Sequence, residues 1–376
     1  MKRDVAIDYL RSAITVAVVA HHSALAYNTF SVFNPAHYTL STAPIVDHVR
    51  FAPLDYFVAW NDIFFMSLMF LVSGLFVSPA IERKGPARFL LERTKRLGIP
   101  FVIAVTLLMP AAYYPSWSLS NAASQGGYLR RFFTTDGWPV GPPWFLWLLL
   151  AFCGIAALAA RLAPRFWTRL SWPAGSAASL ALCVLITTLV ATVPVRLFVH
   201  PYSWSSLGGP LAFQTSRLLL YFAWFMLGVS LGGENLARSL SLRNLQWWPL
   251  WLLLGLVAFV AHWILSGVAY LKSAPAWAGT AMLATVFSLC CAFTGLASLG
   301  MARTFVHKAS PAADSFTANA YGIYIIHYGF VTWMQFTLLT QQWPAVQKFA
   351  VTFTVALGAS WLLTAALRRT VAGRVL

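Results

Sequence analysis

Acidic side chains are scarce in this sequence: Asp and Glu number 10 among 376 residues, against 26 Lys and Arg. Charged residues of all kinds make up 10%, where a soluble globular chain carries about a quarter. With 59% hydrophobic residues and a mean hydropathy of +0.69, the chain has more apolar surface than a water-soluble core buries, so hydrocarbon must surround part of it. Cysteine is sparse too. Cys153, Cys183, Cys290 and Cys291 lie inside apolar runs, none at metal-ligand spacing with histidine. That pattern excludes a disulfide framework and a Cys/His metal centre, and leaves small buried hydrophobes. No polar linker, internal repeat or low-complexity stretch divides the chain. Residues 1–376 are therefore read as a single transmembrane domain.

Long apolar runs are what the sequence has in abundance. Crossing the hydrocarbon takes about 20 helical residues. Ten stretches qualify: 8–29, 56–79, 97–115, 143–162, 176–196, 213–233, 247–267, 277–300, 316–340 and 346–368. Turn residues punctuate the gaps, among them Pro115, Gly126-Gly127, Gly208-Gly209-Pro210 and Pro311. The expected fold is an all-α polytopic bundle of about ten helices. If the N-terminus is cytoplasmic, most of the basic residues fall in the even-numbered gaps and at the two ends, from Lys2 and Arg3 to Arg368, Arg369 and Arg374. That is the positive-inside pattern, and it places both termini in the cytoplasm. The net charge of +16 then faces anionic headgroups of the lipid bilayer, not nucleic acid. A rival reading makes the first run a signal peptide cut after Ala24-Leu25-Ala26. Asp8 and Arg11 interrupt that run, and His21-His22 precede the cut.

Ionisable groups inside the hydrocarbon mark functional sites by default. Asp8, Arg11 and His22 share the first span. The eleven-residue step from Arg11 to His22 is almost three turns, so both lie on one face about 16.5 Å apart along the axis. Two readings fit: an interfacial Asp8–Arg11 ion pair with His22 capping a wet vestibule, or a catalytic set. His21 points about 100° away from His22, and adjacent histidines on a helix do not chelate one metal, so no metal site is expected. Asp62, at a similar depth in the second span, either caps its helix or holds an imidazole in the tautomer required of a base. In the ninth span Tyr321, Tyr324, His327 and Tyr328 form one polar stripe, with His327 as a second candidate for the catalytic centre. His262 has no comparable neighbours and is read as packing. The basic loop ERKGPARFLLERTKRLGIP carries Arg88, Arg93 and Arg96, whose guanidinium forks match phosphate oxygens; headgroup binding and topology account for them equally.

These residues resemble a family. The segment AIDYLRSAITVAVVAHHSALAY, with ten residues between Arg11 and His22, is similar to the opening of the acyltransferase 3 family of membrane proteins. The run FFMSLMFLVSGLFV ending in Ser73-Gly74, the basic FLLERTKRLGIPF, PPWFLWLLL and SFTANAYGIYIIHY resemble its later motifs, in the expected order along the whole chain. HHSALAY and FQTSRLLLYFAWFMLGV are similar to the branch that succinylates periplasmic glucans. The resemblance implies O-acyl transfer from acyl-CoA to a carbohydrate or other exported hydroxyl acceptor, in a bacterial inner membrane. It implies His22 as the essential histidine, Arg11 as its paired arginine, and Arg93 and Arg96 facing the donor. No permanently bound cofactor is implied; acyl-CoA is a co-substrate. The soluble hydrolase-like domain that many members append is absent from these residues. Arg217, with Arg196, is expected to orient an anionic group, and Tyr324 to touch substrate. The alternative from another class is a transporter or flippase that uses Asp8, Arg11 and His22 as a coupling relay.

Overall fold

The computed structural model describes residues 4–170, 175–233, 236–269 and 276–374; Lys2, Arg3 and Lys272 lie outside them. Ten principal helices correspond to the ten apolar stretches. They are α1 (Val5–Ala24), α2 (Pro53–Gly74), α3 (Pro86–Ser118, with local changes of pitch), α4 (Trp144–Leu162) and α5 (Ala177–Phe198). There follow α6 (Leu218–Leu231), α7 (Trp248–Ala269), α8 (Ala276–Phe305), α9 (Pro311–Leu338) and α10 (Ala345–Leu367). Among the described residues the one sheet is an antiparallel hairpin, β1 (Trp204–Ser206) with β2 (Ala212–Gln214), which leads into α6.

By length and apolarity, seven helices of the described chain qualify as membrane spans, and Thr215–Leu231 is a shorter apolar helix. Helices α1 and α9 are not among the seven. Their histidines, tyrosines and charged residues dilute the apolar content, and both are buried in the bundle. The stripe Ile7, Leu10, Ile14 and Val18 packs α1 into the main core, so this helix behaves as a structural centre, unlike a leader segment. Side-by-side polar contacts fix α1 parallel to α9: Tyr9 Oη donates to Asp314 Oδ1 at 2.9 Å, Ser12 Oγ to Thr317 at 2.9 Å, and Gln335 Nε2 to the His22 carbonyl at 3.0 Å. Helix α10 runs back antiparallel, its Trp361 Nε1 donating to Ser315 Oγ at 3.2 Å. The start of α1 and the end of α10 thus share one end of the bundle, the end rich in basic residues.

The basic stretch expected as a loop is helical. A short helix, Val77–Lys84, ends at Gly85, whose φ of +77° only glycine adopts freely, and Pro86 starts α3. Helix α3 therefore begins eleven residues earlier than expected. Pro115 likewise sits inside this helix and ends nothing. Two π-helical stretches, Thr94–Gly98 and Ala104–Leu108, interrupt α3, and its prolines release carbonyls. Pro100 has no N–H for the Arg96 carbonyl, which accepts from the Tyr321 hydroxyl instead. Pro115 leaves the Ala111 carbonyl to Trp333 Nε1 at 2.9 Å. Both substitutes come from α9, so the proline defects tie α3 to it.

Helices α2 and α6 cross with backbones in contact. A Cβ on Gly74 would collide with the Phe225 carbonyl, and one on Gly228 with the Leu71 carbonyl. Small residues permit this approach where no hydrophobic force drives helices together. Gly228→Val is accordingly expected to cost about 1–3 kcal/mol by overpacking. A lower Tm of the purified protein in detergent would register it; an unchanged Tm would mean that the crossing is not tight.

Candidate active site

At the basic end, α1, α2, α3, α4 and α9 enclose a cavity of about 620 Å³. Arg11, Arg93, Arg96 and Tyr324 all line it, with Asp8, Ser73, Asp314, Thr317 and Tyr321. A second cavity of about 400 Å³ adjoins it and shares Asp8, Arg93 and Arg96, adding Arg83 and Lys84. The guanidiniums face several carboxylates already engaged elsewhere. Asp4 caps α1 and takes two hydrogen bonds from Arg303, at 2.7 and 2.6 Å. Glu92 is held by Lys84, and Asp314 accepts from Tyr9. Arg11 lies 3.6 Å from Asp8, the ion pair its spacing predicts, yet remains 43% exposed. Arg93 and Arg96, three residues apart across the first π stretch, both reach the cavity; Arg88 is 76% exposed, leans on Glu92 at 3.6 Å and lines neither cavity.

The inner end of the larger cavity is closed by Tyr324, whose hydroxyl donates to the Pro142 carbonyl. One turn further along α9 stands His327, fully buried. Its Nδ1 lies 2.7 Å from the Tyr324 carbonyl, and its Nε2 lies 3.0 Å from Nδ1 of His22. A carbonyl only accepts, so His327 Nδ1 carries the hydrogen. In the neutral ring Nε2 is then the acceptor, and His22 Nδ1 must donate to it. By this assignment the lone pair of His22 is on Nε2, the tautomer of a general base or nucleophile. The second histidine thus does for His22 what a carboxylate does in one of the two readings of Asp62.

Asp62 is not that carboxylate. Its side chain and carbonyl both accept from Arg217, Nη1 standing 2.6 Å from the carbonyl oxygen. The adjacent His21, not His22, faces Asp62 electrostatically, and the His21 ring stacks on Phe65 at 5.2 Å. The reason is rotational: the 100° step between neighbours turns His21 to α2 and His22 to α9. Arg217 is consequently engaged, and of the two outer arginines Arg196 has no carboxylate within ion-pair distance among the described residues. His262, read as packing, lies within electrostatic range of both. Gln335 was missed altogether; it falls on the Tyr321–Tyr328 stripe extended by seven residues, a periodicity that marks it.

Searches of curated proteins and of solved structures give no match to this chain. The family model described as an acyltransferase domain, acyltransferase 3, matches residues 4–365. That span runs from the Asp4 cap into the last turn of α10 and includes both histidines and every arginine of the cavity. The coupling-relay reading gains nothing from it. A cavity that runs from arginines to Tyr324, one turn short of the histidine pair, in a bundle of long apolar helices and inside a match across nearly the whole chain, gives the conclusion: the protein belongs to the acyltransferase 3 family and is a membrane acyltransferase.

Proposed function

We propose that the chain takes an acyl group from acyl-CoA at its basic end and transfers it to a hydroxyl of a glycan or other cell-envelope acceptor reaching His22 from the opposite end. The observation that carries this reading is the course of the larger cavity, from Arg93, Arg96 and Arg11 to Tyr324, with the His327–His22 pair directly behind. The donor's phosphates dock on Arg93 and Arg96, and Arg88 attracts them from outside. Its pantetheine arm runs along α1 past Arg11, over an offset to His22 of about 16.5 Å. His22 Nε2 removes the acceptor proton as its oxygen attacks the thioester carbon; the C–S bond breaks and the proton passes to the departing thiolate. In the two-step variant Nε2 attacks the thioester carbon first and the C–S bond breaks to give an acyl-imidazolium and the thiolate; the acceptor oxygen then takes the acyl group from Nε2, and its proton passes to the thiolate. Asp62 and Arg217 act as scaffold to the histidines, and Tyr324 positions the arm. A bacterial inner membrane fits the charge asymmetry, and the motifs HHSALAY and FQTSRLLLYFAWFMLGV put a periplasmic glucan first among acceptors.

The test is thioester consumption by the protein in nanodiscs with a panel of radiolabelled acyl-CoA donors. Free CoA and a labelled hydroxyl product are expected; no consumption of any donor would overturn the reading. Arg93→Gln and Arg96→Gln are each expected to raise KM for the donor by about tenfold or more, as lost charged hydrogen bonds predict. Because these groups touch the donor far from the thioester, kcat is expected to fall much less. A pure kcat effect would place the nucleotide elsewhere.

A further inference from the structure

The outer half of the bundle holds a buried polar cluster that the transfer scheme leaves unused. Arg196 enters from the last turn of α5, Arg217 from the turn before α6, and His262 from α7. Phe287 of α8 lies under all three: the guanidinium carbons are 4.6 and 5.2 Å from its ring centre, and the His262 ring 6.0 Å. Asp62 and His21 close the side towards the histidine pair. Two guanidiniums therefore share one carboxylate; Arg217 bonds it through one nitrogen and bonds the Asp62 backbone carbonyl through the other.

Several buried polar atoms of this cluster lack partners, although Arg217 also meets Tyr221 and His262 the Leu283 backbone. Arg196 is 8% exposed, Arg217 4% and His21 8%. Nε of both arginines, Nδ1 of His21 and of His262, and Oγ1 of Thr192, one turn before Arg196, have no hydrogen-bond partner among the described residues. Buried polar atoms are satisfied in the great majority of cases, and membrane interiors enforce this harder than water-soluble cores do. An accumulation of orphans around a surplus positive charge describes a site awaiting an anion. Phe287 covers one face of the Arg196 guanidinium and Nε on its edge is unpartnered; that edge is the one that binds a carboxylate in bidentate fashion. A single surplus charge suits a carboxylate better than a doubly charged phosphate. The cluster also reaches the reaction centre through His21, whose ring lies 5.5 Å from that of His22.

We propose that Arg196 is the anchor of an outer subsite that holds a carboxylate carried by the acylation substrate. This rests on the transfer reading above and adds substrate charge to it. The carboxylate belongs either to the transferred group, as in a dicarboxylic acyl thioester, or to an acidic sugar acceptor. In both cases it sits beside His22 while the reacting atoms meet there.

Binding is tested first, without turnover. Succinate, glucuronate and the neutral succinamide are titrated onto the protein in nanodiscs, with thermal unfolding as the readout. The carboxylates are expected to raise Tm in a saturable way, succinamide to do nothing, and Arg196→Gln to remove the response. Equal responses to all three, or a response that survives Arg196→Gln, would overturn the subsite whether or not acyl transfer is found. Turnover then separates the sources. If the carboxylate is on the acyl group, Arg196→Gln raises KM for succinyl-CoA over that for acetyl-CoA by about tenfold or more with glucose as acceptor. If it is on the acceptor, the same ratio appears between glucuronate and glucose with acetyl-CoA as donor. No change in either ratio refutes the proposal. Should Arg196→Gln fail to fold, Arg196→Lys keeps the charge without the fork and is expected to reduce both the Tm response and the selectivity several-fold; unaltered values in that variant refute it as well.

Discussion

Replacing His22 with alanine is expected to lower the rate of acyl transfer by about 10²–10⁴-fold, the range a positioned proton-transfer group contributes, while the protein remains folded. His22 makes no buried ion pair; its side-chain partner is the other imidazole, at 3.0 Å, so its removal leaves His327 Nε2 without a donor and little else disturbed. His327→Ala is expected to reduce the rate too, by a smaller factor, because His22 keeps its lone pair and its contact with the Val18 backbone but loses the imidazole acceptor that helps to select its tautomer. The double variant is then expected to be scarcely slower than His22→Ala alone, since residues that act as a unit are not additive. CoA release and circular dichroism, measured on the same preparations, check this. Normal turnover by His22→Ala would remove the catalytic assignment. Fully additive losses in the double variant would mean that the two rings work separately.

The largest effect on stability is expected at Lys348. Its ammonium, 0% exposed, lies 2.6 Å from Asp47 Oδ2, 1% exposed. The pair staples the long outer segment between α1 and α2 onto the first turn of α10. The same segment is held by the Arg50 Nη1 bond to the Asn28 carbonyl at 2.7 Å and by the Tyr27–Thr352 hydroxyl contact at 3.2 Å. Removing one partner of a buried pair strands the other charge and costs about 3–5 kcal/mol, whereas replacing both with apolar groups is often close to neutral. Lys348→Met is therefore expected to lower Tm steeply, and Lys348→Met with Asp47→Leu to recover much of the loss. The recovery is incomplete because Asp47 also accepts from the Val49 N–H at 3.0 Å. Thermal unfolding of the two singles and the double forms the cycle; a double variant as unstable as the sum of the singles would show that the charges do not depend on each other.

Much of this protein is legible from its sequence. Ten apolar runs dictate ten helices because a bilayer leaves the backbone no other open-ended way to satisfy its N–H and C=O groups. Spacing alone puts Arg11 and His22 on one face of α1, with the polar stripe of α9 aligned at 321, 324, 327 and 328, since helical periodicity is a local property. The same local rules failed where the chain departs from regularity. Pro115 reads as a turn but lies within α3, because an aromatic side chain on α9 takes over the carbonyl that the proline releases.

Pairings between helices were decided by tertiary structure alone. The sequence offers Asp62 as a helix cap or an imidazole's carboxylate, and His327 as a second candidate for the catalytic centre, and pairs neither with His22. Only the rotation of α1 between α2 and α9 assigns the imidazole to one and leaves the carboxylate to Arg217, which stands 155 residues away. Lys348 reads as an outer basic residue, yet the fold buries it against Asp47, 301 residues distant. Arg88, Arg93 and Arg96 read as one cluster, yet the net turn of about 140° between positions 88 and 93 leaves the first outside while the other two line the cavity. Side-chain chemistry and periodicity are written residue by residue along the chain. Which charge meets which is written in the packing of helices far apart in sequence, because an ion pair in hydrocarbon forms wherever desolvation leaves two opposite charges facing each other.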